Sequence, residues 1–211
     1  MEIMLRLEEE KDYSIVETLT REAFWNIYVP GCSEHVVIHN LRKTKEFIPA
    51  LDFVAIQDNK IIGNIVYVQS KIVHGDKEYP VLTFGPISVS AQYQKMGVGS
   101  ALIKHTIKLS KEMGYKAILI YGDPAYYERF GFKVSKEYNI TDKEGKYPAA
   151  LLVLELYPHA LKGIIGIYDY GNIYEVNEEE LEEYEKKFIK KEKQITKEQD
   201  RFKELSHKYY E

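Results

Sequence analysis

The chain has 211 residues, and the scaling of surface with mass gives roughly 10,000 Å² exposed when folded against roughly 36,000 Å² unfolded, enough burial for one compact domain. With 45% hydrophobic and 29% charged residues, it is excluded from whole-chain disorder, collagen-like repeats and coiled-coil rods. Its 33 acidic against 29 basic side chains leave a net charge of −4, which provides no basic field for a nucleic-acid partner.

The opening residues Glu2 to Arg6 lack the basic and apolar stretches of a signal peptide, so a cytoplasmic protein is expected. Residues 3–7 read as a first strand. Asp12 is placed to cap a helix in which Tyr13, Val16, Leu19 and Ala23 recur at helical spacing, closing near Trp25. An aromatic loop, 25–32, follows and ends in Cys32, the sole cysteine, which excludes an internal disulfide and a clustered-thiol zinc site. Ser33 is placed to cap a second helix carrying Val36, Val37, Asn40 and Leu41, and Pro49 forbids its continuation.

Residues 51–57 and 61–70 are apolar and β-branched and flank Asp58-Asn59-Lys60, a hairpin signature. After a turn at Gly75-Asp76, residues 79–89 read as a strand interrupted by Gly85-Pro86, where a missing amide donor beside a glycine predicts a bulge or splay. Val98, Leu102, Thr106, Leu109 and Met113 form a helical stripe ended by Gly114, and residues 117–121 make a strand. Asp123-Pro124 is a cap and first-position pair for a short helix to Phe130, ended by Gly131; a short strand is expected near 132–135. Residues 149–156 supply a final apolar strand whose run of six from Ala149 to Leu154 is far below the ~20 residues of a membrane span.

Residues 157–211 change character. Ile164, Ile165, Ile167, Tyr168, Tyr170 and Ile173 would expose an unusual apolar patch in a free tail. Asn177 is placed to cap an acidic helix whose Leu181, Tyr184, Phe188 and Ile189 need a surface to dock on. Beyond it, 190–211 reads as a charged extension with a thin stripe of Ile195, Phe202, Leu205 and Tyr209. The expected organisation is a domain at 1–156 and an extension at 157–211, packed on that domain or on the partner subunit of a homodimer.

The segment richest in chemistry is Gln94, Lys95, Met96, Gly97, Val98, Gly99 and Ser100, which follows a strand and opens a helix. Two glycines there let backbone amides converge at a helix N-terminus, a site suited to a diphosphate. Leu102 stands where a dinucleotide fingerprint needs a small residue, and the Gly-Lys-Ser/Thr of a P-loop is absent. No His, Asp and Glu spacing suggests a metal site.

The Gly85-Pro86 strand, the Q-x-x-G-x-G loop from Gln94 to Gly99 and the Y-x-x-x-G-F motif from Tyr127 to Phe132, in this order, resemble the GNAT superfamily of acetyl-CoA-dependent N-acetyltransferases. The resemblance implies an α/β (α+β) fold with a mixed, mostly antiparallel sheet splayed at the acetyl-CoA site, flanked by helices and followed here by a helical extension. It implies that Ile87, Ser88 and Val89 present backbone groups to pantetheine and that the amides from Gln94 to Ser100 hold the pyrophosphate. It also implies that Tyr127 faces the coenzyme sulfur, with Tyr126 beside it. Asp123 stands where many members carry Asn. The tail segments 161–166 and 174–179 are similar to those of a subgroup of bacterial predicted acetyltransferases.

Acetyl transfer needs an oxyanion donor and a proton for the departing thiolate. A backbone N–H freed at the bent strand, that of Val89, suits the first role. A phenol of pKa ~10 stays protonated at neutral pH and can donate to a thiolate of pKa ~8.5, which suits Tyr127 to the second. The resemblance places Trp25, Tyr28, Glu34 and His35 near where this fold binds its acceptor amine, small molecule or protein; the alternatives are aromatic packing between the two helices for Trp25 and Tyr28 and exposed helix positions for Glu34 and His35. Strand 79–89 offers no carboxylate, so the general base is unassigned. That gap motivates a rival expectation, a non-catalytic acyl-CoA-binding module with a regulatory or interaction role.

Overall fold

The computed structural model describes residues 2–211. Its first strand, β1 (Met4–Leu7), leads through a 3-10 turn into α1 (Tyr13–Phe24) and then α2 (Glu34–Leu41). Neither expected side-chain cap forms. The Asp12 carboxylate is instead held by Arg6 at 2.5 Å and by the Glu9 N–H at 2.9 Å, because the turn Glu10–Asp12 is inserted before α1. Ser33 makes no cap hydrogen bond; its own N–H donates to Glu34 Oε2.

The hairpin forms as expected between β2 (Phe53–Gln57) and β3 (Lys60–His74), with Asp58 and Asn59 both left-handed at φ 49° and 60°, the geometry of a two-residue turn that matches strand twist. β4 (Lys77–Val89) returns along β3. Opposite Gly85-Pro86 the register shifts, Ile65 facing Ile87 and Tyr67 facing Phe84, so β4 carries one extra residue and bulges. α3 (Val98–Glu112), β5 (Ala117–Tyr121) and α4 (Pro124–Tyr127) follow. Asp123 caps α4 by accepting from the Ala125 N–H at 3.0 Å. β6 (Lys133–Val134), β7 (Ile140–Thr141), β8 (Tyr147–Pro148) and β9 (Leu151–Glu155) complete the first three-quarters of the chain.

Seven of the main sheet's nine strands follow the path β1-β2-β3-β4-β5-β9-β6, and most pairs along it are antiparallel. β4 and β5 are parallel and share one register position, Leu82 opposite Ile118; beyond it the two strands diverge. On one face Tyr67, Phe84 and Phe132 are buried in a cluster with Leu102 and Ile103 of α3. On the other, Val66 and Val68 are buried with Val16 of α1 and Val37 of α2, and Ile72, Leu119 and Val153 beneath the tail.

The tail is built into this second face. β10 (Gly166–Asp169) pairs with β3 at 71–73, beyond the reach of β2, and with β7 on its other side. The sequence reading assigned no strand to this segment or to β7 and β8. α5 (Glu178–Glu185) is capped by Asn177, which accepts from the Glu180 N–H at 2.8 Å. Tyr184 is buried against α1 and α2, whereas Ile189, expected on the same apolar face, is 89% exposed because the helix ends at Glu185. The terminal stretch is not a bare extension: α6 (Glu198–Ser206) sets Phe202 against Tyr28 at 4.8 Å, and β11 (Tyr209–Tyr210) pairs with β8. No helix of the described residues is long and apolar enough to cross a membrane.

Candidate active site

The divergence of β4 from β5 opens a cleft of about 1140 Å³ that runs through the sheet. Antiparallel pairing fixes which backbone groups face it. The Ser90 N–H donates to Ile62 O on β3, so by alternation the amides of Val89 and Ile87 point the opposite way, toward the gap where β5 has departed. Gln94 confirms this direction by donating its Nε2 to Val89 O at 3.2 Å from the same side.

At the head of α3, Lys95 and Gly97 are left-handed at φ 61° and 92°, and the first intrahelical bond is from the Ala101 N–H to Gly97 O. The amides of Val98, Gly99 and Ser100 therefore have no acceptor within the helix and face a concavity lined by Gln94, Lys95, Gly97, Val98, Gly99 and Ser100. Such a cradle suits a diphosphate. Gly97 is required by its φ, and a β-carbon on Gly99 would lie 3.1 Å from the Tyr126 hydroxyl, which places that hydroxyl at the loop.

Tyr127 sits deeper, in a cage of rings: Tyr126 at 4.9 Å, Phe132 at 5.7 Å, Phe84 at 5.9 Å and Phe130 at 6.5 Å. Burial pushes its phenol well above the ordinary range. Its hydroxyl has no hydrogen-bond partner among the described residues, and the side chain lines the cleft. Gly122 makes room for it, since a β-carbon there would fall 2.4 Å from Tyr127 Cε2.

Of the residues singled out from sequence, Ile87, Val89, Gln94, Lys95, Gly97, Val98, Gly99, Ser100, Tyr126 and Tyr127 come together around the cleft, and Tyr28 and Glu34 join from the α1–α2 side. Four do not line it. The Ser88 hydroxyl turns toward α1, bonded to Asn64 and Thr20. Met96 is 53% exposed outside the cleft. Trp25 donates its indole N–H to Glu192 O at 3.0 Å and stacks on Arg21, tying down the tail.

His35 is fully buried, with Nδ1 3.6 Å from Cys32 Sγ and Nε2 2.9 Å from Glu185 Oε1. Burial first, and Arg21 beside it, hold the ring down to about 4 against the attraction of Glu185. The unfolded chain then binds a proton between pH 6.5 and about 4 that the folded chain refuses, so stability is full above 6.5 and falls on acidification through that window. Urea unfolding at pH 7 and pH 5 is expected to differ by on the order of 2 kcal/mol, and His35→Phe should flatten the difference.

The far wall of the cleft is where Tyr121 meets Tyr168 and Tyr170 from the tail, with Tyr174, Phe24 and Phe202 alongside; the sequence reading packed the tail on the domain or on a partner subunit but did not name these rings as lining the site. The usable signal was the spacing of Tyr168 and Tyr170, two residues apart and hence on one face of a strand. Thr83 links this wall to the core through hydrogen bonds to Ser70 and Tyr168. Among the described residues no group of three His, Cys, Asp or Glu converges as a metal site.

Comparison with known proteins agrees with this geometry. Residues 51–134 match the family model described as acetyltransferase (GNAT) domain. The uncharacterised N-acetyltransferase YhbS of Escherichia coli strain K12 is 25% identical over 169 residues, covering 80% of this chain and 96% of the relative. YjhQ from the same strain, also named an uncharacterised N-acetyltransferase, is 30% identical over 98 residues, 46% of this chain and 54% of that one. The crystal structure of Escherichia coli YhbS in complex with CoA superposes with a TM-score of 0.72 at 24% identity, covering 82% of this chain and 91% of that one. A Brucella melitensis GNAT family acetyltransferase in complex with acetyl-CoA gives 0.66 at 24% identity, over 82% and 99%. The family model falls on the segment that forms the splayed strands and the phosphate-type cradle, so residues 51–134 of this chain match a GNAT acetyltransferase domain.

Proposed function

We propose that the protein binds acetyl-CoA in the cleft and transfers the acetyl group directly to an acceptor amine, with Tyr127 as general acid. The pyrophosphate takes the amides at the head of α3, and the pantetheine arm runs along the open edge of β4 past Ile87 and Val89. The two relatives whose structures hold CoA and acetyl-CoA share this fold, which supports the choice of coenzyme. As the amine attacks the thioester carbon, negative charge develops on the carbonyl oxygen, and the Val89 N–H, fixed by its strand, is the donor for it. Collapse of the intermediate forms the C–N bond, breaks C–S and leaves a thiolate that Tyr127 protonates. The observation that carries this reading is the phenol of Tyr127, kept protonated by burial and without a hydrogen-bond partner among the described residues, in the gap between β4 and β5.

The coenzyme site is tested by Gly99→Val, which keeps a helical backbone but puts methyls into the cradle beside Tyr126. Calorimetry with acetyl-CoA is expected to show affinity reduced by about tenfold or more, about 1.4 kcal/mol. Wild-type affinity in a folded Gly99→Val protein rules the cradle out.

A further inference from the structure

The cleft has two halves of different chemistry. The half beneath α3 carries the amide cradle and the cations Lys95 and Arg129; Arg129 lies 4.1 Å over the Tyr126 ring and donates to Tyr126 O at 2.7 Å. The half on the α1, α2 and tail face is walled by aromatic rings. Tyr28 and Phe202 stack at 4.8 Å, Tyr168 and Tyr170 at 5.2 Å, and Tyr170 and Tyr174 at 5.7 Å. The Tyr174 hydroxyl is buried with no hydrogen-bond partner among the described residues.

Two carboxylates reach this cleft. Asp123 is taken by Arg201 at 2.6 Å and by its own helix cap. Glu34, in the first turn of α2, accepts from the Ser33 N–H at 3.0 Å, and no cation pairs with it among the described residues. Burial raises its carboxyl above the ordinary carboxylate range, which makes it a stronger base at neutral pH.

This lining discriminates among amines. An amino acid needs a cation for its carboxylate, and the aromatic half offers none. A polyamine or aminoglycoside needs several spaced carboxylates, and one is free. A flat ring suits walls of tyrosine and phenylalanine, which hold aromatic partners at these separations.

Resting on the acetyl-transfer reading above, we propose that the acceptor is a monoamine carried on a flat aromatic body, an arylalkylamine, whose ammonium meets Glu34 and whose ring meets the tyrosine wall of the tail. The ammonium gives one proton to Glu34, which passes it to solvent. The neutral amine then attacks; its second proton is matched by the one Tyr127 delivers to sulfur, and the amide keeps the third. One proton is released per acetyl group transferred.

The test uses the full chain, acetyl-CoA and four probes: 2-phenylethylamine, n-butylamine, leucine and spermidine, followed by release of the CoA thiol. The kcat/KM for 2-phenylethylamine is expected to exceed the others by at least tenfold. Glu34→Gln should lower it more than tenfold without changing calorimetric acetyl-CoA affinity, and Tyr170→Ala should raise KM with kcat largely kept. Equal or better use of spermidine or leucine, an undiminished Glu34→Gln, or acetyl-CoA binding with no turnover of 2-phenylethylamine overturns this substrate class and leaves the coenzyme site standing. Failure of the wild-type protein to bind acetyl-CoA overturns the acetyltransferase reading itself.

Discussion

Tyr127→Phe is expected to lower kcat by ~10²- to 10⁴-fold when chemistry limits turnover, the range over which a positioned general acid acts. The substitution removes the hydroxyl and nothing else. The ring keeps its contacts with Phe84 and Phe132 and its clearance over Gly122, so the fold and acetyl-CoA affinity should stay close to wild type. Because burial holds the phenol above its ordinary value, it stays protonated through and beyond the neutral range. The basic limb of the wild-type kcat profile should therefore not come from Tyr127 below about pH 10. Tyr126 supplies the control. Its hydroxyl lies at the Gly99 loop rather than in the ring cage, so Tyr126→Phe should act more on coenzyme affinity than on kcat. An unchanged kcat in Tyr127→Phe, with a large loss in Tyr126→Phe, would transfer the role to Tyr126.

The half of the cleft proposed for the coenzyme could be assembled from sequence because every signal there is local. Gly97 and Gly99 shape a loop and helix start within a few residues, Gly85-Pro86 marks its own bulge, and Asp123-Pro124 and Gly131 bracket α4 and the 3-10 turn Glu128–Phe130 that extends it. The same holds for the Asp58-Asn59 turn, whose two left-handed residues dictate the hairpin. The half proposed for the acceptor is non-local. Tyr168 and Tyr170 acquire meaning through pairing of β10 with 71–73, a contact that four residues of modest alternation do not announce. Helix caps failed where a neighbour competed: Asp12 satisfies Arg6 and Glu9 rather than α1, a choice invisible without the fold of β1 against the first turn. His35 and Glu34 are adjacent in sequence on a helix, so one faces the cleft and the other Glu185 in the interior, and composition alone does not say which.

Truncation after Tyr157 is expected to unfold the protein at room temperature. The removed segment contributes Leu161, Ile164 and Tyr168, all nearly fully buried beneath the sheet, and burial of such side chains stabilises by ~1.5–3 kcal/mol each. It also contributes Glu185, whose two oxygens hold Arg21 at 2.7–3.1 Å while Arg21 is 2% exposed. Stripping the partner from a buried charge costs about 3–5 kcal/mol. Together these losses match the ~5–15 kcal/mol that holds a typical domain folded. Glu185→Ala separates the ion pair from the apolar contacts. Glu185 is partly open to water, which will reach Arg21 in the variant, so the loss should sit near the low end, about 3 kcal/mol. For a chain of this size that corresponds to a fall in Tm of about 6–12 °C. Arg21 is also stacked on Trp25 and Phe188, so the double variant Arg21→Met, Glu185→Leu, which removes both charges, should recover most of the loss. A truncated chain that melts with the full-length protein and keeps its acceptor KM would mean that the tail is dispensable. The tyrosine wall would then have no part in the site.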